Sequence, residues 1–268
     1  MGFIKYKTKG IRAAAASHVG KRRQNNEDNM CFDGYRMETD NTGTGTILSC
    51  ETKPLDAIMG KDAFFAVFDG MGGGDYGEIA SFTAADEARV FFKELHQVDI
   101  HDVSLSLQEF CLKANEEVFV SGRNLGSDMM GTTVVGCYFL DGRVWVCNVG
   151  DSRCFRYRSG FLQQLSCDHT DEEYMRENGI TDRKPYLTQY LGVDPEEMYI
   201  EPFIKSFTAA PGDLYLLCSD GLTDMVEEDE IKRILAGPEM LKNKVNALIS
   251  AALSGGGRDN ITVILCEN

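Results

Sequence analysis
Apolar residues recur along this chain with two different periods. Short runs enriched in apolar residues, many of them β-branched or aromatic, predict strands at 13–19, 30–37, 64–68, 132–140, 143–149, 153–157, 161–165, 214–218 and 261–266. Asp141-Gly142 joins the fourth run to the fifth and Ser159-Gly160 joins the sixth to the seventh, which predicts two hairpins. Helical spacing takes over at 77–95 (Ile79, Phe82, Ala85, Phe92, Leu95), again from Val103 through Leu107, Phe110, Cys111 and Ala114 to Val118, and later at 228–235 and 241–253. A polar stretch at 40–60 reads as a loop or a hairpin insertion. Another, 168–199, reads as an excursion outside the core with a short helix at 172–178. Strands early and in the middle, with helix pairs on either side, predict a layered α+β fold with mainly antiparallel sheets. Neither a linker nor a repeat divides it, so residues 1–268 read as a single domain.

Composition narrows the class. A chain of 268 residues, 43% hydrophobic and 26% charged, has the make-up of a soluble protein with a large core. It lacks a run of about 18 apolar residues, so no membrane span is expected, and its basic start lacks the apolar stretch of a signal peptide. Nine cysteines without a Cys-x-x-Cys pair, several inside apolar runs, fit buried thiols and a cytoplasmic location. A net charge of −15 argues against a nucleic-acid partner.

Acids recur at the strand ends. The run Phe64-Phe65-Ala66-Val67-Phe68 leads into Asp69-Gly70-Met71-Gly72-Gly73-Gly74, so a buried strand is expected to deliver Asp69 to a glycine turn, with Gly70 letting a carbonyl approach a ligand. Ser219-Asp220-Gly221 follows the run at 214–218, Asp259 precedes the run at 261–266, and Glu27 and Asp28 precede the strand near Met30. Singly, each Asp-Gly is a common turn former and Arg22-Arg23 a common solvated face. Together, if the strand ends meet, the carboxylates repel unless cations neutralise them. Oxygen ligands select Mg²⁺ or Mn²⁺, while His18, His96, His101 and His169 show no zinc spacing. Two such ions acidify a water held between them, and an arginine beside the acids offers a fork for phosphate oxygens. These parts suit hydrolysis of a phosphate monoester.

Eight short motifs in order extend this reading over residues 13–266. They are Arg23-x-x-Asn26-Glu27-Asp28, Asp69-Gly70-Met71-Gly72-Gly73, Met130-Gly131-Thr132-Thr133, Gly150-Asp151-Ser152-Arg153, Asp168-His169-Thr170, Leu187-Thr188-x-x-Leu191-Gly192, Ser219-Asp220-Gly221-Leu222-Thr223 and Arg258-Asp259-Asn260-Ile261-Thr262. Together they resemble the metal-dependent serine/threonine protein phosphatases of type 2C (PPM), the bacterial branch in particular. The resemblance implies a four-layer αββα sandwich, two antiparallel β-sheets flanked by helix pairs, with two Mg²⁺ or Mn²⁺ ions at one end. It implies that Asp69 bridges both ions, that Asp220 and Asp259 complete one site, and that Glu27 and the Gly70 carbonyl complete the other. Asp28 would accept a hydrogen bond from water on the metals, and Arg23 would bind the substrate phosphate. Some bacterial relatives hold a third, weaker metal; Asp128 is either a ligand for it or a plain loop residue.

Two departures from the family pattern stand out. Met71 occupies the position of a histidine proposed as general acid in many eukaryotic relatives, although bacterial relatives also have methionine there; His169 has no claim to that role from sequence. The flap region at 168–191 is short, which puts substrate contacts through it in doubt. The resemblance implies phosphorylated protein substrates, an opposing Ser/Thr kinase, a signalling role in the cytoplasm and a monomer. The alternative is a weak or inactive phosphatase-fold regulatory module, which generally lacks one of the metal acids. None is missing here.

Overall fold
Backbone pairing sorts the strands into two antiparallel sheets. The computed structural model describes residues 10–44, 48–50, 62–71, 76–95 and 102–268. In chain order the elements are β1 (Arg12–His18), β2 (Asp28–Phe32), β3 (Leu48–Cys50), β4 (Asp62–Met71), α1 (Gly77–Leu95), α2 (Val103–Leu125), β5 (Gly131–Thr132), β6 (Val134–Leu140), β7 (Arg143–Val149), β8 (Arg153–Arg158) and β9 (Phe161–Gln164). There follow α3 (Glu172–Glu177), β10 (Phe203–Thr208), β11 (Leu214–Cys218), α4 (Asp220–Thr223), α5 (Glu228–Ala236), α6 (Leu241–Ser254) and β12 (Ile261–Glu267). One sheet runs β3-β1-β12-β11-β8-β9 and the other β10-β7-β6-β4-β2, with β5 paired to β4.

Three apolar layers hold these sheets and helices together. Phe64, Phe68, Tyr138 and Trp145 on the outer face of the second sheet pack with Ala80, Ala84, Leu107 and Phe110 of α1 and α2. Between the sheets, Phe65, Phe139 and Tyr215 meet edge to face, with ring centroids 6.3 and 5.2 Å apart; a fully buried aromatic of this kind stabilises by roughly 1.5–3 kcal/mol. Leu216, Val263 and Leu265 cover the outer face of the first sheet under Ile231, Val245 and Leu248 of α5 and α6. Alternate residues of β4, Phe64 and Phe65, thus serve opposite layers, as the two-residue period of a strand requires. The result is the α+β sandwich of two sheets and two helix layers.

Most expected elements are present, with instructive differences. Both hairpin turns have the expected left-handed pair, Asp141 and Gly142 at φ +48° and +76° and Ser159 and Gly160 at +50° and +86°. β2 stops at Phe32 rather than running to residue 37, because Asp33 and Gly34 at positive φ reverse the chain and Phe32 and Tyr35 exchange backbone bonds. The stretch 40–60 contributes β3, paired to β1; residues 51–60 lie outside the described residues. β10 was not expected: its Lys205 and Ser206 interrupt the apolar pattern, as an edge strand allows.

Candidate metal and phosphate site
The acids expected at strand ends gather at one end of the sandwich, and β4 is the centre of the arrangement. Contrary to the expected turn, β4 continues through Asp69 and Gly70 to Met71. Asp69 is the cross-strand partner of Asp28, and Gly70 pairs with Thr132. Gly70 is required by crowding: a Cβ there would lie 2.2 Å from the Gly77 carbonyl oxygen and 2.3 Å from that of Glu27. The Gly70 N–H donates to the Glu27 carbonyl at 3.1 Å, which brings Glu27 to this strand end. Thr133 fixes the Asp69 backbone from both sides, its N–H donating to the Asp69 carbonyl at 2.9 Å and its Oγ1 accepting from the Asp69 N–H at 3.1 Å.

The opposite sheet supplies the remaining groups. Ser219, the last residue before α4, donates from Oγ to Asp28 Oδ2 at 2.8 Å and accepts from the Thr262 N–H at 3.0 Å. Asp220 opens α4 rather than lying in a turn, and Gly221 is pressed so close to Asn260 that a Cβ would come within 1.8 Å of its carbonyl oxygen. Arg23, on the exposed loop between β1 and β2, is ion-paired to Asp259 at 2.7 Å. The Glu27 carboxyl lies against Gly77 at the start of α1.

Electrostatics show that the acids feel one another. Burial, then the charges of Asp28, Asp220, Asp151 and Asp259, raises Asp69 well above the ordinary carboxylate range. Asp220 is pushed up to about 7 by burial and by Asp151, Asp224 and Asp259. Asp28 is pushed up to about 7 by burial, against the lowering effect of the Thr262 and Ser219 hydroxyls. Burial also raises Glu27, against the pull of Arg23.

Not every candidate joins this group. The Asp128 side chain is 83% exposed and contacts Arg123 at 3.4 Å, a setting that fits a plain loop residue. His169 Nδ1 accepts from the Gly150 N–H at 3.1 Å, and the acids acting on it are Asp168 and Glu201 rather than those of the centre. Gly72, Gly73 and Gly74 lie outside the described residues. Two acids without an assigned role act on the cluster: Asp151, quoted only within a motif, and Asp224. The signal for Asp224 was available, because it lies one helical turn after Asp220. The flap is tied down as well: Asp171 accepts from the Tyr186 N–H at 2.7 Å and from both Arg183 terminal nitrogens, while Lys184 is ion-paired to Asp224.

The donor chemistry fits hard divalent cations. Asp28 Oδ1 is buried without a hydrogen-bond partner, and the neighbouring ligand candidates are carboxylates and a carbonyl. Among the described residues, no three His, Cys, Asp or Glu side chains already close around one point.

Comparisons with known proteins agree with this geometry. A family model described as Protein phosphatase 2C matches residues 56–249. The serine/threonine phosphatase stp of Listeria monocytogenes serotype 4b (strain F2365) is 35% identical over 211 residues, which span 75% of this chain and 82% of that protein. The Mycobacterium tuberculosis phosphatase PstP is 29% identical over 221 residues, 79% of this chain and 41% of the longer relative. Among solved structures, the PstP catalytic domain in complex with two manganese ions has a TM-score of 0.75 at 27% identity, covering 97% of this chain and 99% of that one. A bacterial serine phosphatase has a TM-score of 0.78 at 25% identity, covering 95% and 96%.

Proposed function
The chain belongs to the protein phosphatase 2C family, as a metal-dependent serine/threonine protein phosphatase that uses Mg²⁺ or Mn²⁺, and we propose how its residues divide the work. Asp69, Asp220 and Asp259 would hold one cation, and Asp69, Glu27 and the Gly70 carbonyl would hold the other. The observation that carries this assignment is the placement of Asp69 beside Asp28 on adjacent strands, within the field of Asp220 and Asp259. When bound, the cations neutralise the carboxylates and supply an acidified water at neutral pH.

The protein's own groups orient the reaction. Asp28, held through Oδ2 by Ser219, keeps Oδ1 free to accept a hydrogen bond from the attacking water. Arg23 turns from Asp259 to grip two phosphate oxygens with its planar fork. Water oxygen bonds to phosphorus, the P–O bond to the serine or threonine breaks, and the leaving oxygen takes a proton. Met71 carries no proton to give, and His169 Nδ1 is taken up by the Gly150 N–H, so solvent supplies it. Asp128 stands outside this set as a surface residue.

The substrates are phosphorylated proteins, and the kinase opposed by the enzyme is a Ser/Thr kinase of a cytoplasmic signalling system. The catalytic unit is a single domain acting as a monomer, in keeping with the three shared apolar layers. None of the described helices is long and apolar enough to cross a membrane. The test is release of phosphate from a phosphothreonine peptide under Mn²⁺ or Mg²⁺, abolished by EDTA. Folded protein that binds Mn²⁺ but turns nothing over is the result expected of a regulatory module instead.

A further inference from the structure
We propose that Asn260 is the positioning residue of this centre: its one buried amide holds the loop that carries Arg23 and Glu27 against the strand start that carries Asp259. The inference rests on the roles proposed above for Arg23, Glu27 and Asp259.

An asparagine amide offers two N–H donors and a carbonyl acceptor. All three are used here, and all go to one loop. Asn260 Nδ2 donates to the Val19 carbonyl at 3.0 Å and to the Asn25 carbonyl at 3.0 Å, while Oδ1 accepts from the Glu27 N–H at 2.8 Å. These contacts grip the β1–β2 connection once at its entrance and twice toward its exit, across more than 230 positions of sequence. Asn260 itself is 3% exposed, whereas residues 21–25 of the loop are exposed.

The backbone around the amide closes the same seam. The Lys21 N–H donates to the Gly257 carbonyl at 2.7 Å, and a Cβ on Gly20 would lie 2.2 Å from the Asp259 carbonyl oxygen. On its other side Asn260 touches Gly221, next to Asp220. One residue therefore sits where the Arg23 loop, Glu27, Asp259 and the start of α4 meet, its side chain on the loop and its backbone carbonyl on Gly221.

Neither the charged isostere nor a truncated side chain makes these three contacts. Aspartate would keep the acceptor for Glu27 but set a carboxylate oxygen against two carbonyls. Alanine would leave two carbonyls and an N–H without their partner, each costing about 1–3 kcal/mol if no water replaces it. Loss of a purely stabilising residue would lower the melting temperature and leave the substrate constants of the folded enzyme alone. A positioning residue must move them, because a loosened loop no longer presents the Arg23 fork in register with the phosphate.

A double-mutant cycle on the Mn²⁺-saturated enzyme with a phosphothreonine peptide separates the two. Asn260→Ala is expected to raise KM roughly tenfold, the usual scale for a residue acting through another. In the Arg23→Ala background the same change is expected to raise KM less than about twofold, since a guanidinium that is absent cannot be misplaced. The loss in Tm should be equal in both backgrounds. An unchanged KM with a lowered Tm, or KM penalties that multiply in full, overturns the proposal. Should Arg23→Ala itself leave KM unchanged, the phosphate role of Arg23 is what fails; the clamp is then read at Glu27, where Asn260→Ala must weaken Mn²⁺ binding in calorimetry or be rejected. Asn25→Gly loosens the same loop at an exposed residue, guards against a variant that does not fold, and must raise KM in the same direction.

Discussion
Arg23 and Asp259, 236 positions apart, are joined by a 2.7 Å ion pair between a guanidinium proposed to bind phosphate and a carboxylate proposed to bind a cation. The two proposed roles draw on the same pair: a cation at Asp259 would compete with the guanidinium, and a phosphate at Arg23 would compete with the carboxylate. Filling the cation site should release the arginine toward substrate, which couples the two binding events without any movement of the sheets.

That coupling gives Arg23→Ala opposite effects on its two ligands. Removing a bidentate charged partner is worth about 1.5–3 kcal/mol, so KM for a phosphopeptide should rise by roughly 10- to 100-fold. Mn²⁺ should bind as tightly or slightly tighter, because the competing exposed pair contributes only about 0–1 kcal/mol. Kinetics and titration calorimetry on the same preparation check both, and weaker Mn²⁺ binding would refute the exchange.

Ser219→Ala isolates the orientation of Asp28. The hydroxyl links Asp28 Oδ2 to the Thr262 N–H across the two sheets, so its loss frees a buried carboxyl to rotate. The expected result is a kcat lowered by roughly tenfold with KM nearly unchanged. Stability should fall by about 1 kcal/mol. A KM effect of the same size as the kcat effect would mean that Ser219 serves the substrate rather than Asp28.

Local periodicity was enough for most of the fold, because strands and helices of this chain bury one consistent face and the hairpin dipeptides specify their own turns. It failed where a residue's meaning depends on a distant partner. Gly70 looks like a strand breaker beside Gly72, Gly73 and Gly74, yet it stays in β4 because the Glu27 and Gly77 carbonyls leave room for no side chain. The acids were visible at strand ends, but the pairing of Asp28 with Asp69 is a matter of register between strands that local sequence does not encode. β10 was hidden for a similar reason: an edge strand needs only one neighbour, β7, and tolerates Lys205 and Ser206 between its apolar residues. Asp151 stood in a motif without a role until Asp220 was placed beside it.

Asp213 makes acid stability separable from catalysis. Its side chain is 2% exposed; burial alone would raise its pKa, but the Arg158 guanidinium at 2.6 Å, the Ala210 N–H at 2.8 Å and the Tyr215 hydroxyl at 3.0 Å together hold it below the ordinary value. A carboxyl lowered on folding stabilises above its unfolded pKa, and that stabilisation is lost as pH falls through the folded pKa. Asp213→Asn should therefore cost about 1–3 kcal/mol near neutrality, the range for hydrogen bonds to a charged group with one partner partly exposed. The gap between variant and parent should close below roughly pH 4. Thermal melts from pH 7 to pH 3 measure this, and a gap that widens in acid would reverse the sign.

Asp69→Asn and Asp128→Asn test whether the centre is organised around β4. Asp69 is fixed at its backbone by Thr133 and surrounded by the charges of Asp28, Asp220, Asp151 and Asp259, so an amide there removes the one ligand proposed to serve both cations. It also relieves repulsion among the remaining acids, so the variant should fold at least as stably as the parent in the absence of metal while losing Mn²⁺ affinity and activity by 100-fold or more, on the order expected for a bridging ligand with its orienting contacts. Asp128 is exposed and contacts only Arg123 at 3.4 Å among the hydrogen bonds and ion pairs of the described residues. Its amide should change activity by less than about twofold, as surface pairs do. Melting curves without metal, followed by Mn²⁺ titrations of both variants, decide the point. Equal loss in the two would move the bridging role away from Asp69, and an Asp69→Asn protein less stable than the parent without metal would show that the clustered carboxylates are not under mutual repulsion.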